Sequence, residues 1–327
     1  MSSESAPEYV MGTQGFAGAW NDENITELID HLEAANIKHY DTARLYPMTD
    51  SGASERLLGR VRQPDFVIDT KILYKPEALL RENMRDSFDK SIEALGVSKV
   101  NTLYAHAPDK ATPIAQQAAN FDELYREGSF KQLGLCNYSL KEVNEWIEIA
   151  TEKGYVQATV YQGQYSIFCR HYEKELFPFL RKHGIKFVAN SPLAGGFATG
   201  KLTLAENDEK LKGTRFEQAE GNVMGYLYRM WFDKPVFHHP VRELIAIGER
   251  FGISSLSQIA MRWLLFHSGL KSTDWVAIGP SNVAQLKDYL AARDAGSLPE
   301  EMAMEIDKLY GPLADEAAGM VEYGWWS

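Results

Sequence analysis

The sequence predicts an α/β protein built as a single (β/α)8 barrel of the TIM type, spanning residues 1–327. Three observations carry this. Eight short apolar runs are each followed by a helix-like segment, the pattern of repeated βα units around a parallel sheet. Gly96, Gly128, Gly154 and Gly184 stand where helices need a terminating residue. Asp41, Lys71 and His106 lie near the ends of three consecutive runs, the rim at which α/β active sites form. A doubly wound sheet needs fewer units and usually opens on GxGxxG, whereas the first run here enters GTQGFAG with the wrong spacing.

The units follow in order. YVMGT leads through GFAGAWND to TELIDHLEAAN, and HYDTA leads to SERLLGRV. FVIDTKI precedes PEALLRENMRDSFDKSIEALG, expected as one long helix with Leu80, Met84, Phe88, Ile92 and Leu95 on its apolar face. VNTLYAHA precedes IAQQAANFDELYREG, and FKQLGLCNY precedes LKEVNEWIEIATEKG. ATVYQGQYS precedes YEKELFPFLRKHG, and KFVANSPLA opens a long connection after strand seven. WVAIGPS then leads into VAQLKDYLAARDA, and the tail adds an extra C-terminal helix. The connection, about 197–270, carries a polar stretch, an aromatic stretch (YLYRMWFDKPVFHH) and two helix patterns. Insertions at this face of a barrel commonly form lids or pocket walls.

A chain of 327 residues, 45% hydrophobic and 24% charged, is ordinary for a globular protein with a large core. Its formal net charge of −11 argues against a nucleic-acid partner. No apolar run reaches membrane-spanning length, so no membrane partner is expected. Cys136 and Cys169 form no disulfide framework, and the N-terminal residues lack a basic and then apolar leader pattern. The expected location is cytoplasmic.

The chemistry is read from four side chains. On parallel strands about 4.8 Å apart, Lys71 falls between Asp41 and His106, with Tyr46 just beyond Asp41. Tyr46 could protonate a carbonyl oxygen. A cation at roughly 4 Å in an effective dielectric of about 20 favours the phenolate by about 4 kcal/mol; burial opposes it, so a smaller net lowering of the phenol pKa is expected. Asp41 would neutralise the ammonium and His106 would polarise the carbonyl. Singly, such residues are more often rim charges or hydrogen-bonded structural groups; together they point to a site.

HYDTARLY…SERLLG, DTK and YAHAPD resemble the signature segments of the aldo-keto reductase superfamily. VIDTK, HAPDKATP, LYREGSFKQLGLCNYS, VYQGQYS, ELFPFLRKHG and SPLAGGFATGK are most similar to its aflatoxin-aldehyde reductase group. The resemblance implies NADP(H)-dependent reduction of an aldehyde, ketone or dialdehyde without a metal, NAD(H) being the second choice. It implies Asp41, Tyr46, Lys71 and His106 as the catalytic set. Asn137 and Gln162 would hold the nicotinamide carboxamide, with Cys136 standing where the family usually has Ser. Ser191, Leu193, Gly195 and Lys201 would belong to a pyrophosphate loop. The same loop nearly spells a Walker A motif, but Leu202 occupies the magnesium-binding position. Asn190 stands where an aromatic residue commonly stacks on nicotinamide. Ser281 and Gln285 match the segment that holds the adenosine 2′-phosphate. Pro280 and Tyr289 depart from it, Asp288 is close by, and Arg215 would compensate.

The substrate pocket is expected from Phe16, Trp20, Tyr74, Tyr228, Arg229 and Trp231, with Trp325 or Trp326 as candidates. Relatives carry a second basic residue where Trp231 stands, which implies a more apolar carbonyl substrate here. The plain alternative is that these aromatics pack the lid against the barrel. His238 and His239 suggest a metal site only weakly, being adjacent and without acidic or Cys companions. The resemblance also suggests a homodimer. Two rivals remain open: a cofactor-binding regulatory subunit with little turnover, and an unrelated barrel hydrolase, which would need a metal cluster or carboxylate pair at the rim.

Overall fold

The computed structural model describes residues 6–322. The aromatic end with Trp325 and Trp326 lies outside the described residues. β1 (Glu8–Gly12), α1 (Ile25–Ala34), β2 (His39–Asp41), α2 (Ala53–Val61), β3 (Val67–Lys71) and α3 (Arg81–Leu95) are followed by β4 (Val100–Ala105) and α4 (Ile114–Arg126). β5 (Phe130–Cys136), α5 (Leu140–Lys153), β6 (Ala158–Gln164), α6 (Leu176–Lys182) and β7 (Lys186–Asn190) complete seven strands. The connection holds α7 (Lys201–Leu204), α8 (Val223–Phe232), α9 (Pro235–Phe251) and α10 (Leu256–Phe266). β8 (Trp275–Ile278), α11 (Val283–Asp294), α12 (Glu300–Lys308) and α13 (Ala314–Glu322) end the described chain. The strands pair in parallel, in sequence order, and β8 returns to β1, closing the barrel.

The strands are short, three to seven residues each. Their apolar residues meet the buried stripes of the helices, such as Val143, Trp146, Ile147 and Ala150 on α5. The four expected glycines all adopt left-handed backbone at helix ends, with φ between 64° and 79°. Ser139 and Glu142 form a reciprocal capping box that starts α5 just beyond β5.

Three element boundaries differ from the sequence reading. α3 begins at Arg81 rather than near Pro76. The Asp109 carboxylate accepts the Glu77 and Leu79 amides, each at 3.1 Å, and Asn120 donates to the Leu79 carbonyl at 2.8 Å. Those bonds staple residues 76–80 to the β4–α4 loop and to α4 instead of letting them wind. α6 is preceded by a separate 3-10 turn at His171–Glu173. α9 starts at Pro235, ahead of the helix pattern VRELIAIGERFG, because Pro235 occupies the first helical position, where its fixed φ suits a helix start; Pro240 lies inside the helix.

Inside the barrel, Gly134 on β5 pairs with Tyr104 on β4, and the Tyr104 ring covers it. A Cβ on Gly134 would lie 2.2 Å from that ring. Gly134→Ala should therefore cost about 1–3 kcal/mol of stability through overpacking. Chemical denaturation checks this; an unchanged midpoint would mean that Tyr104 can move aside.

Candidate active site

Parallel pairing of β2 with β3 places Asp41 opposite Asp69, so Lys71 projects two residues further along toward the same rim. Lys71 is fully buried. Its ammonium donates to Asp41 Oδ1 at 2.7 Å, to Asp41 Oδ2 at 2.6 Å and to the Thr42 carbonyl at 2.9 Å. Three acceptors match its three protons. The nitrogen also lies 5.3 Å from the centre of the Tyr46 ring and 5.4 Å from that of Tyr104. Burial alone would favour the neutral amine, but Asp41 outweighs it and holds Lys71 above its ordinary range.

The Tyr46 ring meets His106 edge-on, with centres 5.7 Å apart. Burial pushes the Tyr46 phenol up to about 12, while Lys71 pulls it down and Asp41 pushes it up. The expected net lowering by Lys71 is therefore overturned: burial of the phenol outweighs the cation. His106 follows the last residue of β4 and is buried. Burial, and then Lys71, hold its imidazole well below the usual value, so it is neutral near pH 7.

These groups open into one cleft of about 540 Å3 at the C-terminal ends of the strands, lined by Asp41, Tyr46 and His106 among others. Every residue assigned to cofactor binding lines it. Cys136, Asn137 and Gln162 come from the ends of β5 and β6; Ser191, Leu193, Gly195, Lys201 and Arg215 follow β7; Ser281, Gln285 and Tyr289 follow β8. Gln162 donates to Asp41 Oδ1 at 3.1 Å, tying the end of β6 to the ion pair. Asn137, held in left-handed backbone at φ 64°, donates its amide to the His106 carbonyl at 3.0 Å and to Cys136 Sγ at 3.2 Å. Burial pushes the Cys136 thiol up to about 12, which keeps it neutral.

The loop after β7 carries left-handed backbone at Ser191, Ala194, Gly195, Gly196 and Gly200. Such turns present successive N–H groups to an anion. Tyr228 of α8 closes over it. Its ring occupies the space that a Cβ on Gly195 would need, and its hydroxyl pairs with Ser191 Oγ at 2.6 Å. The Arg215 guanidinium stacks 5.1 Å from the Tyr228 ring centre and donates to Gln14 at 3.4 Å.

The substrate assignments fare less evenly. Tyr228 and Trp231 line the cleft. Phe16 and Trp20 do not; both are buried in the core, and the Trp20 indole donates to the Pro280 carbonyl at 2.6 Å. Arg229 is turned away as well, binding the Phe216 carbonyl at 2.7 Å and the carboxylates of Asp208 and Asp233. Tyr74 borders a separate small hollow beside His106 and Asp109. Sequence reasoning missed Gln14, Leu45, Met48, Gln164, Phe216 and Met224, all of which line the cleft. Gln164 was within reach, since it lies two residues beyond Gln162 on β6 and shares its face.

His238 binds Thr203 at 2.8 Å and Asp233 at 3.0 Å. Among the described residues, no group of three or more His, Cys, Asp or Glu side chains could hold a metal ion. None of their helices is long and apolar enough to cross a membrane.

Comparison with known proteins decides the family. The aldo/keto reductase family matches residues 9–311. The chain belongs to this family of oxidoreductases. It is 36% identical over 292 residues to aflatoxin B1 aldehyde reductase member 4 of Homo sapiens, covering 84% of this chain and 85% of the relative. An aldo-keto reductase of Pseudocercospora fijiensis is 32% identical over 293 residues, covering 86% and 96%. Oxidoreductase sirO of Leptosphaeria maculans is 30% identical over 329 residues, covering 95% and 96%.

The neutral His106 has a consequence for acid stability. Its folded-state pKa lies below the unfolded value near 6.5, so below that pH the unfolded chain binds a proton that the native site refuses. Stability is lost as pH falls, by up to about 1.4 kcal/mol per unit. His106→Gln should remove this share, making the decline in unfolding free energy from pH 6.5 to 5 shallower than in wild type. An equally steep decline would mean that His106 protonates freely in the fold.

Proposed function

We propose that this chain reduces an aldehyde to an alcohol with a nicotinamide dinucleotide, Tyr46 acting as general acid. The observation that carries this is the phenol of Tyr46 facing the cleft between a buried ammonium–carboxylate pair and a neutral imidazole. The cleft's donor set suits a dinucleotide. It offers two carboxamides at one end, a loop rich in left-handed backbone for phosphates, and the cations Lys201 and Arg215. Arg215 supports NADPH, the form that the resemblance implies, while Lys201 adds charge at the phosphate loop common to both dinucleotides. A bound nicotinamide supplies the hydride.

The protein's own residues do the rest. Neutral His106 can donate a hydrogen bond to the substrate oxygen and polarise it without adding charge. As negative charge develops on that oxygen, Tyr46 transfers its proton there. A phenol pushed up to about 12 stays protonated at neutral pH, and an alkoxide is a stronger base still. Lys71 lowers the cost of the phenolate left behind, and Asp41 keeps the ammonium charged and fixed. Leu45, Met48, Met224 and Trp231 give the substrate end apolar walls, while Arg229 is held by Asp208 and Asp233. This favours an apolar or aromatic aldehyde, a reading that shares its reaction class with the aflatoxin B1 aldehyde reductases among the relatives.

Tyr46→Phe should lower kcat by roughly 100-fold or more while dinucleotide affinity stays within about twofold. Steady-state kinetics with a binding titration separate these, and a wild-type rate would refute the role. Across an aldehyde panel, aromatic members should show higher kcat/KM than carboxylate-bearing ones of similar size. Trp231→Arg should narrow or reverse that order; an acidic preference in the wild type would contradict the apolar wall. A regulatory subunit, the alternative, would bind the dinucleotide and turn over none of the panel.

A further inference from the structure

We propose that Asp288 sets dinucleotide choice at the adenosine end of the cleft, so that the chain binds NADH within about tenfold of NADPH. The inference rests on the nicotinamide reading above and widens it. Asp288 lines the cleft together with Ser281, Gln285 and Tyr289 of the same β8–α11 segment, and with Ser257 of α10. Its carboxylate is not a loose surface charge. Ser257 Oγ donates to Oδ2, and Gln258 Nε2 donates to Oδ1 at 2.8 Å and to the Asp288 backbone carbonyl at 2.8 Å. Both donors come from the first turn of α10, so a second element orients the group. A carboxylate has about four acceptor positions, and these bonds use one on each oxygen. Each oxygen therefore retains acceptor capacity.

The chemistry of the two dinucleotides differs only at the ribose 2′ position. A 2′-hydroxyl donates to a carboxylate, the arrangement by which acidic residues select NAD in other dinucleotide sites. A 2′-phosphate offers no such donor when ionised, and its charge of about −1.5 to −2 is repelled. Compensation from this segment is weak. Lys287 is exposed and outside the cleft lining, and Arg293 turns to the Tyr9 ring, 5.7 Å from its centre, and to Asp294. Gln285 accepts from the Ser281 amide at 2.8 Å and from its hydroxyl at 3.2 Å, which holds the turn without adding charge.

Arg215 is the countering cation. It reaches over from the connection after β7 and is shared with Gln14 and the Tyr228 ring. The Tyr289 phenol, which burial pushes up, feels both charges, Arg215 lowering it and Asp288 raising it. One cation and one carboxylate thus act on the same end of the cleft. Together they leave neither form of the dinucleotide strongly excluded.

Calorimetric titration of NADPH and NADH into the full-length wild type and Asp288→Asn tests this without turnover. Wild type should bind the two within tenfold, and the variant should shift the ratio about tenfold toward NADPH, mainly through tighter NADPH. Asp288→Ser should shift it in the same direction, and melting temperatures should show both variants folded. A wild-type preference for NADPH beyond tenfold, or a ratio unchanged in both folded variants, overturns the inference while leaving the proposed reaction intact. Failure of the wild type to bind either dinucleotide would overturn the nicotinamide reading itself.

Discussion

The buried pairing of Lys71 with Asp41 is the constraint on which the rest of the site depends. An ammonium taken wholly out of water is tolerable only with a carboxylate and further acceptors in place, and both Asp41 oxygens and the Thr42 carbonyl provide them. The pair exists because β2 and β3 are adjacent, parallel and registered Asp41 to Asp69. It cannot form unless the barrel does. Removing either partner would strand a buried charge, at about 3–5 kcal/mol. The tyrosines on either side, Tyr46 and Tyr104, experience a fixed cation at a distance set by the sheet rather than by flexible side chains.

The connection after β7 converts this rim into a cleft. Tyr228 lies on Gly195, pairs with Ser191 and carries Arg215 against its ring. Arg229, one residue along α8, fixes the same helix to Asp208, Asp233 and the Phe216 carbonyl. Neighbouring residues on one helix thus have different tasks: Tyr228 shapes the cleft, and Arg229 holds the helix that presents it. The cleft's charges follow from this division, with Arg215 arriving on the connection and Asp288 on the barrel's last helix.

The barrel and the rim trio were legible because they rest on local signals. Apolar runs, period-3.6 patterns, terminating glycines and charged or titratable residues near the ends of three consecutive runs depend little on distant contacts. The start of α3 was not legible, because Asp109 and Asn120, some thirty to forty residues away, capture the backbone that would otherwise wind. The pocket aromatics were read by type rather than by direction. Phe16 and Trp20 look like pocket residues in sequence, yet the Trp20 indole finds its acceptor in Pro280 on the far side of the chain order. Arg229 was misread for the same reason: its acidic partners are on other turns and loops, and only the fold shows that they reach it. The direction of the Tyr46 shift needed the actual burial, since desolvation opposes the cation and outweighs it here.

The pH dependence of alcohol oxidation, compared between wild type and Lys71→Met, tests the central arrangement most directly. In that direction Tyr46 must first lose its proton, so the rate should climb with pH. Without the cation the phenolate is harder to form, and the climb should move to higher pH in the variant. A profile unmoved by loss of Lys71, or one that does not rise with pH in the wild type, would contradict the account.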